Sequence, residues 1–96
     1  KYILTHSGLG NFDKNKPLEE YTEQELLWNR PKFYGKYFDD GTIVVFGHTP
    51  TFAYGDEYRG KIIKSDTYIN IDVGAACGHP PVLLRLDDKK VFYLSC

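Results

Sequence analysis

The chain has 96 residues, 42% hydrophobic, 16% aromatic and 26% charged, with 12 Lys+Arg against 13 Asp+Glu for a net charge of −1. That size allows one domain, residues 1–96, with one modest core that buries about 60–70% of the surface an unfolded chain exposes. Near-neutral charge without a basic stripe excludes the footprint of a nucleic-acid binder, and no apolar run approaches the ~20 residues needed to cross a bilayer.

Taken in order, "KYILT" (1–5) predicts a short buried strand that ends at "HSGLG", where Gly8 and Gly10 mark a tight loop with close backbone approach. "NFDKNKPLEEY" (11–21) reads as a surface loop. Thr22 followed by Glu25 fits a capping box, so a helix is expected from Glu23 through "EQELLWNR", broken at Pro31. "KFYGKYF" is expected to add a further turn before Asp39-Asp40-Gly41. "TIVVF" (42–46) is β-branched and apolar on both faces, as a strand covered on both sides should be. After "GHTP", residues 51–67 read as a surface excursion. "YINID" (68–72) alternates like a strand, and residues 82–95 read as a hairpin turning at Asp87–Lys90. The order gives an α/β fold whose helix crosses between two parallel strands.

In open α/β sheets ligands bind beyond the carboxyl ends of the strands. Both "ILTHSG" and "VVFGHTP" put a histidine there, His6 and His48, each close to a glycine. Neutral imidazole is the commonest metal-binding side chain, and a ligand at a strand end is rigidly held. On residue chemistry alone, each could equally be a hydrogen-bonded loop histidine.

The series "HSGL", "LLWNR", "VVFGHTPT" and "INIDVGAACG" with a following hairpin resembles the carboxyl-terminal half of calcineurin-like metallophosphoesterases. The likeness is to the phosphoprotein phosphatase branch, and within it to the small bacterial and bacteriophage lambda-type serine/threonine phosphatases. It covers nearly the whole chain. The resemblance implies half of a β-sandwich flanked by helices, truncated at the amino-terminal side. It also implies two divalent ions in the intact enzyme, Mn or Fe/Zn, and hydrolysis of phosphomonoesters by metal-activated hydroxide. His6 and His48 would bind the same ion. Arg30 would grip the substrate phosphate and steady the transition state, a task suited to its planar fork. Ser7 stands where alanine is usual, a small-for-small change, and Pro50 stands where related nuclease-like enzymes carry a second histidine. Gly78-His79-Pro80-Pro81 departs from the family pattern and leaves His79 without a role.

Motifs of the types DxH, GDxxDRG and GNHE, which supply the remaining ligands, do not occur in these residues. With no methionine and an opening already strand-like, the reading is of a piece of a longer protein, inactive by itself. Phosphoprotein or a small phosphoester is the expected substrate. Symmetrical dinucleoside tetraphosphate hydrolysis, or a catalytically dead scaffold of the same fold, is the alternative. Self-association through the face left by a missing half is the expected partner contact.

The remaining residues have plainer readings. Trp28, Tyr21, Tyr34 and Tyr37 are expected in core and rim packing. Asp72 and Gly74 are read as structural, Asp39-Asp40 and Asp87-Asp88 as turns, and Cys77 as a small apolar filler near the site. Cys77 and Cys96 form no CxxC pattern or disulfide framework, which points to a reducing, cytoplasmic setting.

Overall fold

A computed structural model describes residues 1–31 and 36–93. The centre is a four-stranded sheet in the order β1-β2-β4-β3. Strand β1 (Tyr2–Leu4) runs parallel to β2 (Ile43–Phe46), with Ile3 opposite Val44. Strand β2 runs parallel to β4 (Tyr68–Asn70), with Val45 opposite Ile69, and the short β3 (Ile63–Lys64) pairs antiparallel with β4. A separate hairpin joins β5 (Val82–Arg85) to β6 (Lys90–Tyr93). The chain is therefore mixed α/β, with little helix.

Side-chain alternation along β2 explains the layers, because successive residues of a strand point to opposite faces. Val44 and Phe46 join Leu9, Tyr21, Ile63 and Tyr68 on one face, and the half-buried Phe12, Leu26, Tyr37 and Phe38 pack against them. Ile43 and Val45 join Ile69 on the other, where Tyr2, Ile71 and the hairpin residues Leu84 and Leu86 close over them. The Tyr2 hydroxyl donates to the Leu86 carbonyl at 2.9 Å, which fastens the hairpin to the sheet. All four β2 residues are buried, as a strand covered on both sides requires.

The capping box is present. Thr22 Oγ1 accepts from the Glu25 N–H at 3.2 Å, and the Glu25 carboxylate accepts from the Thr22 N–H at 2.9 Å. The helix α1 (Glu23–Leu27) is nevertheless shorter than expected, ending at Trp28 well before Pro31. The reason is tertiary: Ser7 and Asn29 divert the backbone, as described below.

Four other expectations are corrected. Leu4 is 68% exposed because β1 is the sheet edge, so β1 is not a buried strand. Tyr68, Ile69 and Asn70 are all buried, so β4 does not alternate; it lies inside the sheet with cover on both faces. Within 51–67 lie two turns of 3-10 helix (Thr51–Tyr54 and Asp56–Tyr58) and strand β3, whose two residues are too few to leave a periodic signal. Lys90 belongs to β6, and the tight turn ahead of it contains Lys89 at φ 59. Asp40 and Asp88 serve as turn acceptors, for the Thr42 and Lys90 N–H groups, as read from the sequence. Tyr34 and Cys96 lie outside the described residues.

Among the described residues, no helix is long and apolar enough to cross a membrane.

Glu25 links the helix to pH. Its carboxyl is held down to about 2 from an ordinary 4.5, chiefly by the Thr22 N–H, then by the Asn11 amide and the Lys16 ammonium. A carboxyl whose pKa falls on folding contributes stability that is full above its unfolded value and is lost as pH drops through the folded one. Thermal unfolding is therefore expected to move to lower temperature as pH falls from 4.5 towards 2. The Glu25→Gln variant should follow a flatter profile over that window, and parallel profiles would exclude Glu25 as the source.

Candidate metal and phosphate site

Parallel pairing puts the carboxyl ends of β1, β2 and β4 side by side, and the histidine loops emerge there. The Gly47 N–H donates to the His6 carbonyl at 2.9 Å, which extends the β1–β2 ladder into both loops. The rings of His6 and His48 lie with centroids 5.1 Å apart and planes at 51°. Residues 42 positions apart in sequence thus meet (48 − 6).

His48 occupies an unusual backbone conformation. The Thr49 N–H donates to the Gly47 carbonyl at 2.8 Å, a γ-turn centred on His48, whose φ is 69. The left-handed form of this turn is rare and strained, and strain of this kind gathers where a side chain must be aimed. Asp72 packs across from it: a Cβ added at Gly47 would sit 3.4 Å from the Asp72 Cβ, an ordinary contact. Asp72 Oδ1 accepts from the Gly74 N–H at 3.0 Å and its carbonyl from the Thr51 N–H at 2.8 Å, bonds that tie its loop to the one that follows His48.

The second group is "WNR". Ser7, fully buried, donates its hydroxyl to the Leu26 carbonyl at 2.7 Å and accepts from the Asn29 N–H at 3.1 Å. The Asn29 side-chain amide returns a bond to the Ser7 carbonyl at 3.1 Å, and the Ser7 N–H donates to Leu26 at 3.0 Å. These bonds satisfy groups that the helix end leaves open, and they fold Trp28-Asn29-Arg30 back onto the first histidine loop. Ser7 is thus more than a small filler, because its hydroxyl works as donor and acceptor together. No local pattern could have disclosed this, since the partners lie 19 and 22 positions away.

Trp28 then stands edge-on to His48, ring centres 5.6 Å apart at 88°. It is 62% exposed, so it belongs to the site wall and not to the core. Arg30 is exposed and lines two adjoining hollows of about 320 and 330 Å³. Burial pushes the Tyr54 phenol above its ordinary pKa, while the Arg30 guanidinium acts in the opposite direction. Tyr54 donates a short hydrogen bond to the Pro31 carbonyl, which fastens the chain directly after Arg30. His79, half-buried, faces Phe52 with ring centres 6.1 Å apart. Cys77 is exposed and free, which corrects its reading as an apolar filler.

The fit to a metal can be tested on geometry. An ion bonded to a ring nitrogen at about 2.1 Å holds two imidazoles with centres roughly 4.5–5.3 Å apart at ordinary bond angles. The 5.1 Å spacing of His6 and His48 falls in that range. The next residue, Thr49, keeps a buried hydroxyl with no hydrogen-bond partner among the described residues. Among those same residues, however, no group of three or more His, Cys, Asp and Glu side chains is placed to hold a metal ion. The centroid spacing of the two imidazoles is compatible with a shared ion, and it is the only feature of the pair that bears on one.

Thr49 offers a direct check. An unpaired buried hydroxyl costs about 1–3 kcal/mol. Replacing Thr49 with the near-isosteric valine is expected to leave thermal stability unchanged or raise it by about 1 kcal/mol. A loss of more than that would mean the hydroxyl is partnered. No protein-family model matches this chain, and neither a curated protein nor a solved structure matches it.

Proposed function

We propose that this chain carries the phosphate-gripping arginine and two metal-binding histidines of a metal-dependent phosphomonoesterase acting on phosphorylated serine or threonine. In this reading it forms the carboxyl-terminal half of a calcineurin-like sandwich. The observation that carries the reading is the convergence of three sequence-distant elements. His6 and His48 lie 5.1 Å apart by ring centres, and the segment leading to Arg30 is bonded to Ser7 through Asn29 and meets His48 edge-on through Trp28.

In this reading the imidazoles hold one divalent ion, and the remaining ligands come from residues beyond these 96. Such ions, when bound, acidify water and offset phosphoryl charge. The chain's own residues set the frame. The turn at His48 and the end of β1 hold the two rings, and the Ser7–Asn29 bonds fix the backbone just ahead of Arg30 to the first histidine loop. Arg30 presents a planar pair of donors to two phosphate oxygens. Trp28 screens one side of His48 from water.

The test is Mn²⁺-dependent phosphate release by the chain in its natural full-length context, with a phosphoserine peptide and diadenosine tetraphosphate as parallel substrates. Arg30→Ala is expected to slow peptide hydrolysis about 30- to 1,000-fold, the equivalent of losing about 2–4 kcal/mol of transition-state stabilisation. Faster turnover of the dinucleotide would move the same site to nucleotide hydrolysis. Turnover of neither would overturn the enzymatic reading and leave a binding scaffold.

A further inference from the structure

We infer that the 320 Å³ hollow beneath Arg30 is a binding site for a small aromatic phosphate monoester, separate from the histidine pair. The inference goes beyond the hydrolase reading and shares with it only Arg30.

The argument begins with charge. Arg30 and Lys36 both line the hollow, and none of its described lining residues is a carboxylate. Among the described residues the ion pairs engage Lys14, Lys16, Arg59 and Arg85, so Arg30 and Lys36 keep no carboxylate partner. Two unneutralised cations on one concave surface, in a chain of net charge −1, select an anion locally. Lysine supplies a mobile point charge and arginine a planar fork, and together they suit a dianionic phosphate better than a single carboxylate.

The walls select a ring. Phe12, Tyr37 and Tyr68 line the hollow. Phe12 and Tyr37 meet edge to face at 5.3 Å, and Tyr37 and Tyr68 meet at 6.4 Å and 90°. Tyr37 is further fixed by the Leu9 N–H, which donates to its hydroxyl at 3.4 Å. Interlocked rings of this kind are rigid and offer faces and edges to a planar guest. The Asn11 amide adds a polar group to the lining. The volume lies at the small end of ligand sites, about 300–1,000 Å³, which admits a mononucleotide or a phosphotyrosine side chain but no folded segment.

The two sources share one chemistry, a ring bearing a phosphate, and the experiment separates them. Phenyl phosphate, adenosine monophosphate and inorganic phosphate are titrated into the chain in the presence of EDTA, with amide and aromatic proton shifts recorded. Both ring-bearing ligands are expected to bind about tenfold or more tightly than inorganic phosphate. Shifts should centre on Phe12 and Tyr37. Preference for the nucleotide or for phenyl phosphate identifies the source, and either supports the site. Lys36→Gln should weaken binding about five- to tenfold, and Lys36→Arg should restore it. Lys36 is exposed, so these exchanges spare the fold. Equal affinity for inorganic phosphate, no response to Lys36→Gln, or shifts centred on His6 and His48 would overturn the inference. Because no metal is present, failure here is distinct from failure of the hydrolase reading.

Discussion

Exchanging His48 for asparagine, or His6 for alanine, is expected to weaken Mn²⁺ binding by roughly 10–100-fold or more, since loss of even an outer-shell partner costs that much. The choice of asparagine matters. His48 sits at φ 69, a region most residues enter only with strain, and asparagine is several-fold enriched at positive φ, which makes it the mildest polar replacement. The His48→Asn variant thus removes the imidazole while preserving the turn closed by the Thr49 N–H on the Gly47 carbonyl. Paramagnetic broadening of histidine ring protons by Mn²⁺ reads the effect without any need for turnover. In the unaltered chain, His6 and His48 should broaden together if the proposed site holds, because an ion bound to both rings, 5.1 Å apart, would act on each. Broadening of His79 alone, or persistence of the His6 effect in the His48 variant at the same Mn²⁺ concentration, would dismiss the shared site.

The largest effect on stability is expected at Gly8. Its φ is 86, and a Cβ there would lie 2.6 Å from the Tyr37 hydroxyl and 3.2 Å from the Pro31 ring. Left-handed backbone costs a non-glycine residue about 1–2 kcal/mol, and overpacking a filled site adds about 1–3 kcal/mol. Tyr37 has little freedom to withdraw, because its ring is wedged edge-on against Phe12, Phe46 and Tyr68. Gly8→Ala should therefore lower unfolding stability by about 2–4 kcal/mol, a large share of what a domain this small commands. Chemical denaturation measures it. A loss under 1 kcal/mol would mean that the loop shifts freely, and with it the Ser7 bonds that seat Arg30.

Several features were legible from neighbouring residues alone. Thr22 and Glu25 stand three apart and cap α1 because that spacing brings each side chain to the other's N–H. The β-branched run at 43–46 specifies a strand covered on both faces, and the pairing of Gly8 and Gly10 marks close backbone approach. Around Gly10, for instance, a Cβ would meet the Glu25 backbone at 3.0 Å. The position of His6 and His48 just past their strands followed from the same local reasoning.

What remained hidden depended on partners far along the chain. The early end of α1, the exposure of Trp28 beside His48 and the work of the Ser7 hydroxyl share one origin, the bonds between Ser7 and residues 26–29. Strand β3 exists because β4 offers it an edge, and the hollow under Arg30 exists because Phe12, Tyr37 and Tyr68 arrive from three separate segments. The sequence by itself determined which residue types can cap, turn, alternate and ligate, because those preferences are set by each residue and its near neighbours. Only the tertiary structure decided which of them meet. Hydrogen bonds and packing act across space with no regard to distance along the chain, and here they bring the His6 loop, the His48 loop and the Trp28–Asn29 segment together.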